Sequence, residues 1–219
     1  MFSFKQVFNF AAAFKMTKKE TIIESAIKLF GSKGFEGTSV REIAADAGVN
    51  VAMINYYFES KEKLFEKAVE YRASFLKGIF SELVNNESLT AIEKIDRIID
   101  YTIDRKFSNS EFHHLLHREL SLERRPQLKD AISDILLRNM NPFKMIIKNG
   151  IKDGVFKPVD IELTLTTMLG TIHYLLTSDT MCRKILGKNE GFRAFENQKL
   201  KKRLSEHAKQ LMRSHLLKK

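Results

Sequence analysis

Apolar residues recur along this chain at intervals of three and four, the spacing of one face of an α-helix. The first such stripe is Ile22, Ile23, Ala26, Ile27 and Phe30; Thr17 and Glu20 open it as a capping box, and it closes at Gly34. The second, Val40, Ile43, Ala44 and Ala47, opens with the pair Ser39 and Glu42, and Gly48 supplies the left-handed turn that stops it. Asn50 caps a third, short helix whose inner side is Val49, Ile54 and Phe58. Ser60 opens a long helix from Lys61 to about Val84, with Leu64, Ala68, Tyr71, Phe75 and Ile79 in register. Asn85 to Ser88 break the pattern. It resumes over about 90–107 on Ile92, Ile95, Ile98, Ile99 and Ile103, over 110–122, and over about 126–152, where Pro142 must kink or split the helix. Gly150–Asp160 reads as a turn. Two helices finish the chain, Ile161–Ser178 and about 196–217, the last with Leu200, Leu204, Ala208, Leu211 and His215 on one stripe.

The third helix is unusual in what it leaves outside: Val51, Ala52, Met53, Asn55 and Tyr57 point away from its apolar side. Small, amide and aromatic side chains on a short helix after a tight turn suit entry into a DNA major groove, so the stretch Thr38–Leu64 has the pattern of a helix-turn-helix.

From Thr21 to Leu64 the chain resembles the TetR (tetracycline-repressor-like) family of transcriptional regulators. The matching residues are the AIKLF run, Gly34-Phe35, Gly37-Thr38, Ile43-Ala44, Ala47-Gly48-Val49, Tyr56-Tyr57-Phe58 and Ser60-Lys61-Glu62. The resemblance implies an all-α protein: a three-helix DNA-binding domain over 16–64 and a larger helical domain over 65–219 for effector binding and dimerisation. It further implies a cytoplasmic homodimer paired through helices 161–178 and 196–217, which represses from a palindromic operator in double-stranded DNA and is released by a small-molecule effector. The alternative is a helical ligand-sensing module whose operator recognition is lost or altered. One departure bears on that: the family usually carries Tyr where this chain has Asn55, and often His where it has Tyr57.

Chemistry assigns the outward residues. Asn55 can pair with an adenine edge, and Val51, Ala52 or Met53 can touch a thymine methyl. Tyr57 and Lys61 match family positions that contact phosphate, and Lys61 also sits at a helix N-terminus, where the dipole favours an anion. Thr38 and Arg41 are further phosphate candidates, and Tyr56 is expected to be half core and half contact.

The net charge of +10 does not mark this domain. Residues 16–64 hold seven basic and seven acidic side chains, whereas residues 182–219 hold twelve basic and three acidic. That basic last helix, with Arg124-Arg125, reads as a solvated face or as a nucleic-acid or membrane patch. No apolar run approaches the roughly 20 residues of a membrane span. The single Cys182, in a polar basic stretch that favours its thiolate somewhat, fits a reducing compartment and reads as a bystander. Residues 1–15, rich in Phe, lie ahead of the family-like region; they read as a non-native start with Met16 the initiator, or as an extra amphipathic turn.

No phosphate loop or nucleophile elbow is present, so no enzyme and no cofactor is expected. His113, His114 and His117, with Glu111 near, have metal-ligand spacing but no evident fourth ligand, and the expectation is no metal. If the central helices line an effector cavity, Phe75, Tyr101, Phe107, His113, His117, Phe143 and Tyr174 are its candidate lining.

Overall fold

The computed structural model describes residues 16–218 apart from 109, 123 and 177, and the backbone alone at 75–77. The reading of residues 1–15 lies outside the described residues. Every named element among those described is a helix, and the only pairing of extended backbone is an isolated bridge between Phe156 and Leu217. The chain divides into two compact units, Met1–Tyr71 and Arg72–Lys219.

In the first unit α1 (Lys18–Lys33) packs on α2 (Val40–Asp46), and α2 on α3 (Val51–Phe58). Both expected capping boxes form, with Thr17 accepting from the Glu20 N–H and Ser39 from the Glu42 N–H. Three rings make the centre of the core: Phe30 of α1 is 5.5 Å from Phe35 and 5.1 Å from Phe65, which lies on the inner face of α4 (Lys61–Asn85). All three rings are fully buried.

The second unit holds α5 (Ala91–Ser108), α6 (Ser110–Ser121), α7 (Pro126–Arg138), α8 (Asn141–Lys152), α9 (Ile161–Leu176), α10 (Asp179–Leu186) and α11 (Gln198–Leu216). Its centre is α5, which packs on α6, α8 and α11; α9 packs on α8, α10 and α11. Pro142 does split the expected 126–152 helix: a proline cannot donate within a helix, but it is accommodated in the first turn of α8. In the turn after α8, Phe156 is fully buried against Gly150, where a Cβ would lie 2.4 Å from the ring.

Two expectations are corrected. Residues 179–186 form α10, a helix too short and polar to announce itself by periodicity; Ser178 caps it and Gly187 closes it in the left-handed conformation. It buries Cys182 completely, and that burial, with Asp179 as the lesser cause, raises the thiol above its ordinary pKa, so the thiolate is disfavoured. On α11 the buried stripe advances strictly by four, Leu200, Leu204, Ala208, Met212 and Leu216. Leu211 is half-buried and His215 is exposed, its Nε2 2.9 Å from the Thr164 hydroxyl.

Candidate nucleic-acid interface

The tight turn of the helix-turn-helix is built as the sequence requires. Gly48 adopts a positive φ of 64°, the Val49 N–H donates to the Ala44 carbonyl at 3.0 Å, and the Gly48 N–H to that of Ala45 at 3.3 Å. This pair of bonds satisfies the last carbonyls of α2 and aims the chain into α3. Asn50 then caps α3, its side-chain oxygen accepting from the Met53 N–H at 2.8 Å. Two ion pairs tie α2 to α1: Lys28–Asp46 at 2.6 Å and Lys33–Glu42 at 2.7 Å. The hydrogen bond from Lys33, followed by those from Ser39, holds the Glu42 carboxyl down to about 2.

With Ile54 and Phe58 turned into the core, α3 presents Ala52, Asn55 and Tyr57 outward, and Val51 and Met53 at half exposure. Tyr56 is 82% exposed and stands edge-on to Tyr57, so it is not half core as expected; its position faces away from Ile54 and Phe58. Arg41 is exposed at the start of α2. The Lys61 ammonium lies 4.4 Å over the Phe35 ring, a cation–π contact that fixes its stem at the start of α4. Thr38 corrects another expectation. It is 1% exposed, and its hydroxyl donates to the Gly34 carbonyl at 2.8 Å with that of Leu29 at 3.1 Å. Its side chain pins the loop ahead of α2 and is not available to a phosphate.

Between α3 and α4 the chain reverses through Glu59, which has φ 65° and ψ −48°, and the Ser60 N–H reaches back to the Phe58 carbonyl at 2.6 Å. This is a γ-turn with positive φ, a strained conformation for a residue with a Cβ.

Of the candidate effector residues, the described cavities bring together His113 and His117. Phe143 is core, Tyr101 packs edge-on to Phe80, and Phe107 on Phe195. Tyr174 is 66% exposed, because its position on α9 is turned opposite the buried Ile172 and Leu176, so it stands on the surface and not in the core. The side chain of Phe75 lies outside the described residues. His113 and His117 do line a small cavity with His114 and with Lys106, His173, Leu176 and Phe195, which sequence reasoning missed. A signal existed: Ile99, Ile103 and Lys106 continue one inward stripe, so a lysine occupies a core position. Among the described residues no group of three or more His, Cys, Asp or Glu is disposed to hold a metal ion.

Three cations of the basic last helix pair with acids of α5. Arg213 pairs with Asp96, Lys209 with Asp100 at 2.8 Å and Lys201 with Asp104 at 2.7 Å, while the Ser205 hydroxyl donates to Asp100 at 2.5 Å. Arg125 likewise pairs with the buried Glu119 at 2.5 Å. Lys199, Lys202 and Arg203 of α11 and Arg124 remain exposed at the surface. No helix among the described residues is long and apolar enough to cross a membrane.

The family described as bacterial regulatory proteins, tetR family, matches residues 22–68. A Bacillus subtilis protein named as a probable HTH-type transcriptional regulator, YttP, is 33% identical over 139 residues, 63% of this chain and 67% of its own length. The fatty acid metabolism regulator protein of the same organism is 29% identical over 172 residues, 76% of this chain and 86% of its own. Among solved structures, FadR of Bacillus subtilis in complex with stearoyl-CoA superposes with a TM-score of 0.71 at 22% identity, covering 88% of this chain and 96% of that one, a likeness of fold. With its turn, its caps and its outward α3 face in place, this chain belongs to the TetR family of DNA-binding transcriptional regulators.

Proposed function

We propose that the protein is a repressor that binds a palindromic operator as a homodimer and leaves it when a small molecule binds the second unit. The observation that carries the reading is the outer face of α3: Ala52, Asn55 and Tyr56 exposed on a helix capped and aimed by Asn50 and Gly48. Asn55 supplies the base-specific contact, through a bidentate bond to adenine; Arg41, Tyr57 and Lys61 supply phosphate contacts.

Support for the dimer comes from α9, which leaves Leu163, 64% exposed, and Tyr174 on its surface, with Met181 and Ile185 of α10 also exposed. A monomer has no use for such a patch, and a two-fold pair would cover it with its own copy. Effector release requires only that the ligand prefer the conformation with lower operator affinity. The helix α4, unbroken from Lys61 to Asn85, is the element through which such a preference would act.

Selection of bound sequences from random duplex DNA, followed by gel-shift titration, tests the reading. Asn55→Ala should relax preference at one position by about 1–3 kcal/mol, whereas Lys61→Ala should weaken all sequences alike. A wild-type protein with no sequence preference would leave the ligand-sensing module without operator recognition as the better account. Sedimentation of Leu163→Glu should show monomer where the wild type sediments as dimer.

A further inference from the structure

Five basic side chains converge inside the second unit. Lys106 of α5 is only 5% exposed, with its Nζ 3.0 Å from each ring nitrogen of His173 on α9. His117 of α6 stands edge-on to His173, ring centroids 4.2 Å apart. His114 donates from Nε2 to the Leu176 carbonyl at 3.1 Å, and His113 completes the basic lining of the cavity. The cavity measures about 10 Å³, room for one water-sized group, and its other walls are Leu176 and Phe195.

The charged neighbours that act on these groups are themselves basic: Arg105 on Lys106, and Lys106, Arg105, His173 and His117 on His113. An interior relieves such a gathering by pairing it with acidic side chains, by shedding protons or by admitting an anion. The environment favours proton loss: burial first, then Arg105, pushes the Lys106 ammonium down to about 7, and burial first, then Lys106, pushes His173 down to about 3.

We propose that this node binds a carboxylate, one oxygen entering the cavity against Lys106 Nζ with the imidazoles of His113 and His117 as further donors. The proposal rests on the reading of the second unit as the effector domain and names the effector's class, a carboxylic acid. The cavity accepts one oxygen and is too small for a phosphate group. The apolar side chains beside the node are Leu176, Phe195 and, packed on Phe195, Phe107.

Calorimetric titration of the full chain with acetate, octanoate, octanamide and chloride at pH 8 tests it. Octanoate should bind at least tenfold tighter than octanamide. Binding should also take up protons, seen as a heat that depends on the buffer, because a bound carboxylate raises the affinity of Lys106 for its proton. Lys106→Met should weaken octanoate tenfold or more and abolish the proton uptake, with helical content kept. Acetate binding as tightly as octanoate would support a small free carboxylate as ligand, and octanoate alone a head group; each supports the node. Equal binding of octanoate and octanamide, binding of neither, chloride competing as well as octanoate, or unchanged uptake in Lys106→Met would overturn it. Should Lys106→Met fail to fold, the wild-type octanoate and octanamide comparison and its proton uptake decide. Loss of carboxylate binding with operator selection intact defeats this inference alone; loss of operator selection with carboxylate binding intact defeats the regulator reading alone.

Discussion

The two units bury different things. Residues 16–71 enclose rings and aliphatic chains, and their buried polar residues are Ser25 and Thr38, both uncharged. The second unit, of similar helical construction, buries Asp96, Lys106 and Glu119 as well. The first arrangement spends its interior on fixing a geometry, which is what a surface that must meet DNA in one register needs. The second keeps charge in its interior at a cost in solvation, and such charge earns its place by pairing or by recognising something.

Substitution and pH can break this contrast or sharpen it, and the largest expected effect lies in the first core. Phe30→Ala removes the ring shared by Phe35 and Phe65 and should cost about 3–5 kcal/mol. Hydrogen exchange should show the loss over 18–71 and protection retained over α5 and α11. Equal loss in both units would show that their cores are not independent.

Acid should separate the units by window. The folded-state values of His117, about 4, and His173, about 3, lie below the ordinary 6.5, with burial the first cause of each. The unfolded chain therefore takes protons first, and the second unit loses stability as pH falls from 6.5 towards about 4. Glu42 contributes stability that is present above its ordinary 4.5 and lost as pH falls to about 2, so the first unit yields later. Exchange measured at pH 5 should find only the second unit weakened.

The smallest effect concerns the γ-turn. Glu59→Gly relieves the positive φ and should raise the stability of the first unit by at most about 1 kcal/mol in a denaturant titration. No gain would mean that the turn is held without strain.

The same contrast explains what the sequence made legible. The helix-turn-helix was readable because its signals are local: capping pairs three residues apart, a glycine at the one left-handed turn, and an apolar side whose complement is the working face. Even there Thr38 misled, since its hydroxyl bonds to carbonyls that lie before it in the chain. The basic node was only half readable. His113 and His117 are neighbours on one helix, but His173 arrives from sixty-seven residues beyond Lys106, and only the packing of α9 brings it there. Tyr174 and Leu211 failed for a smaller reason, a helical face misjudged by one residue.

The acidic and basic ladder between α5 and α11 has one more consequence. Its rungs repeat at intervals of four residues on α5, close to one helical turn, so like a vernier it could mesh again if α11 slid by one rung, about 6 Å. Charge alone cannot tell the two settings apart. Ser205, an uncharged rung held by Asp100, and the stepped seam of Leu204, Ala208 and Met212 supply the missing distinction. Replacing Ser205 with lysine would make the scale uniform and leave the seam alone to choose between the two settings.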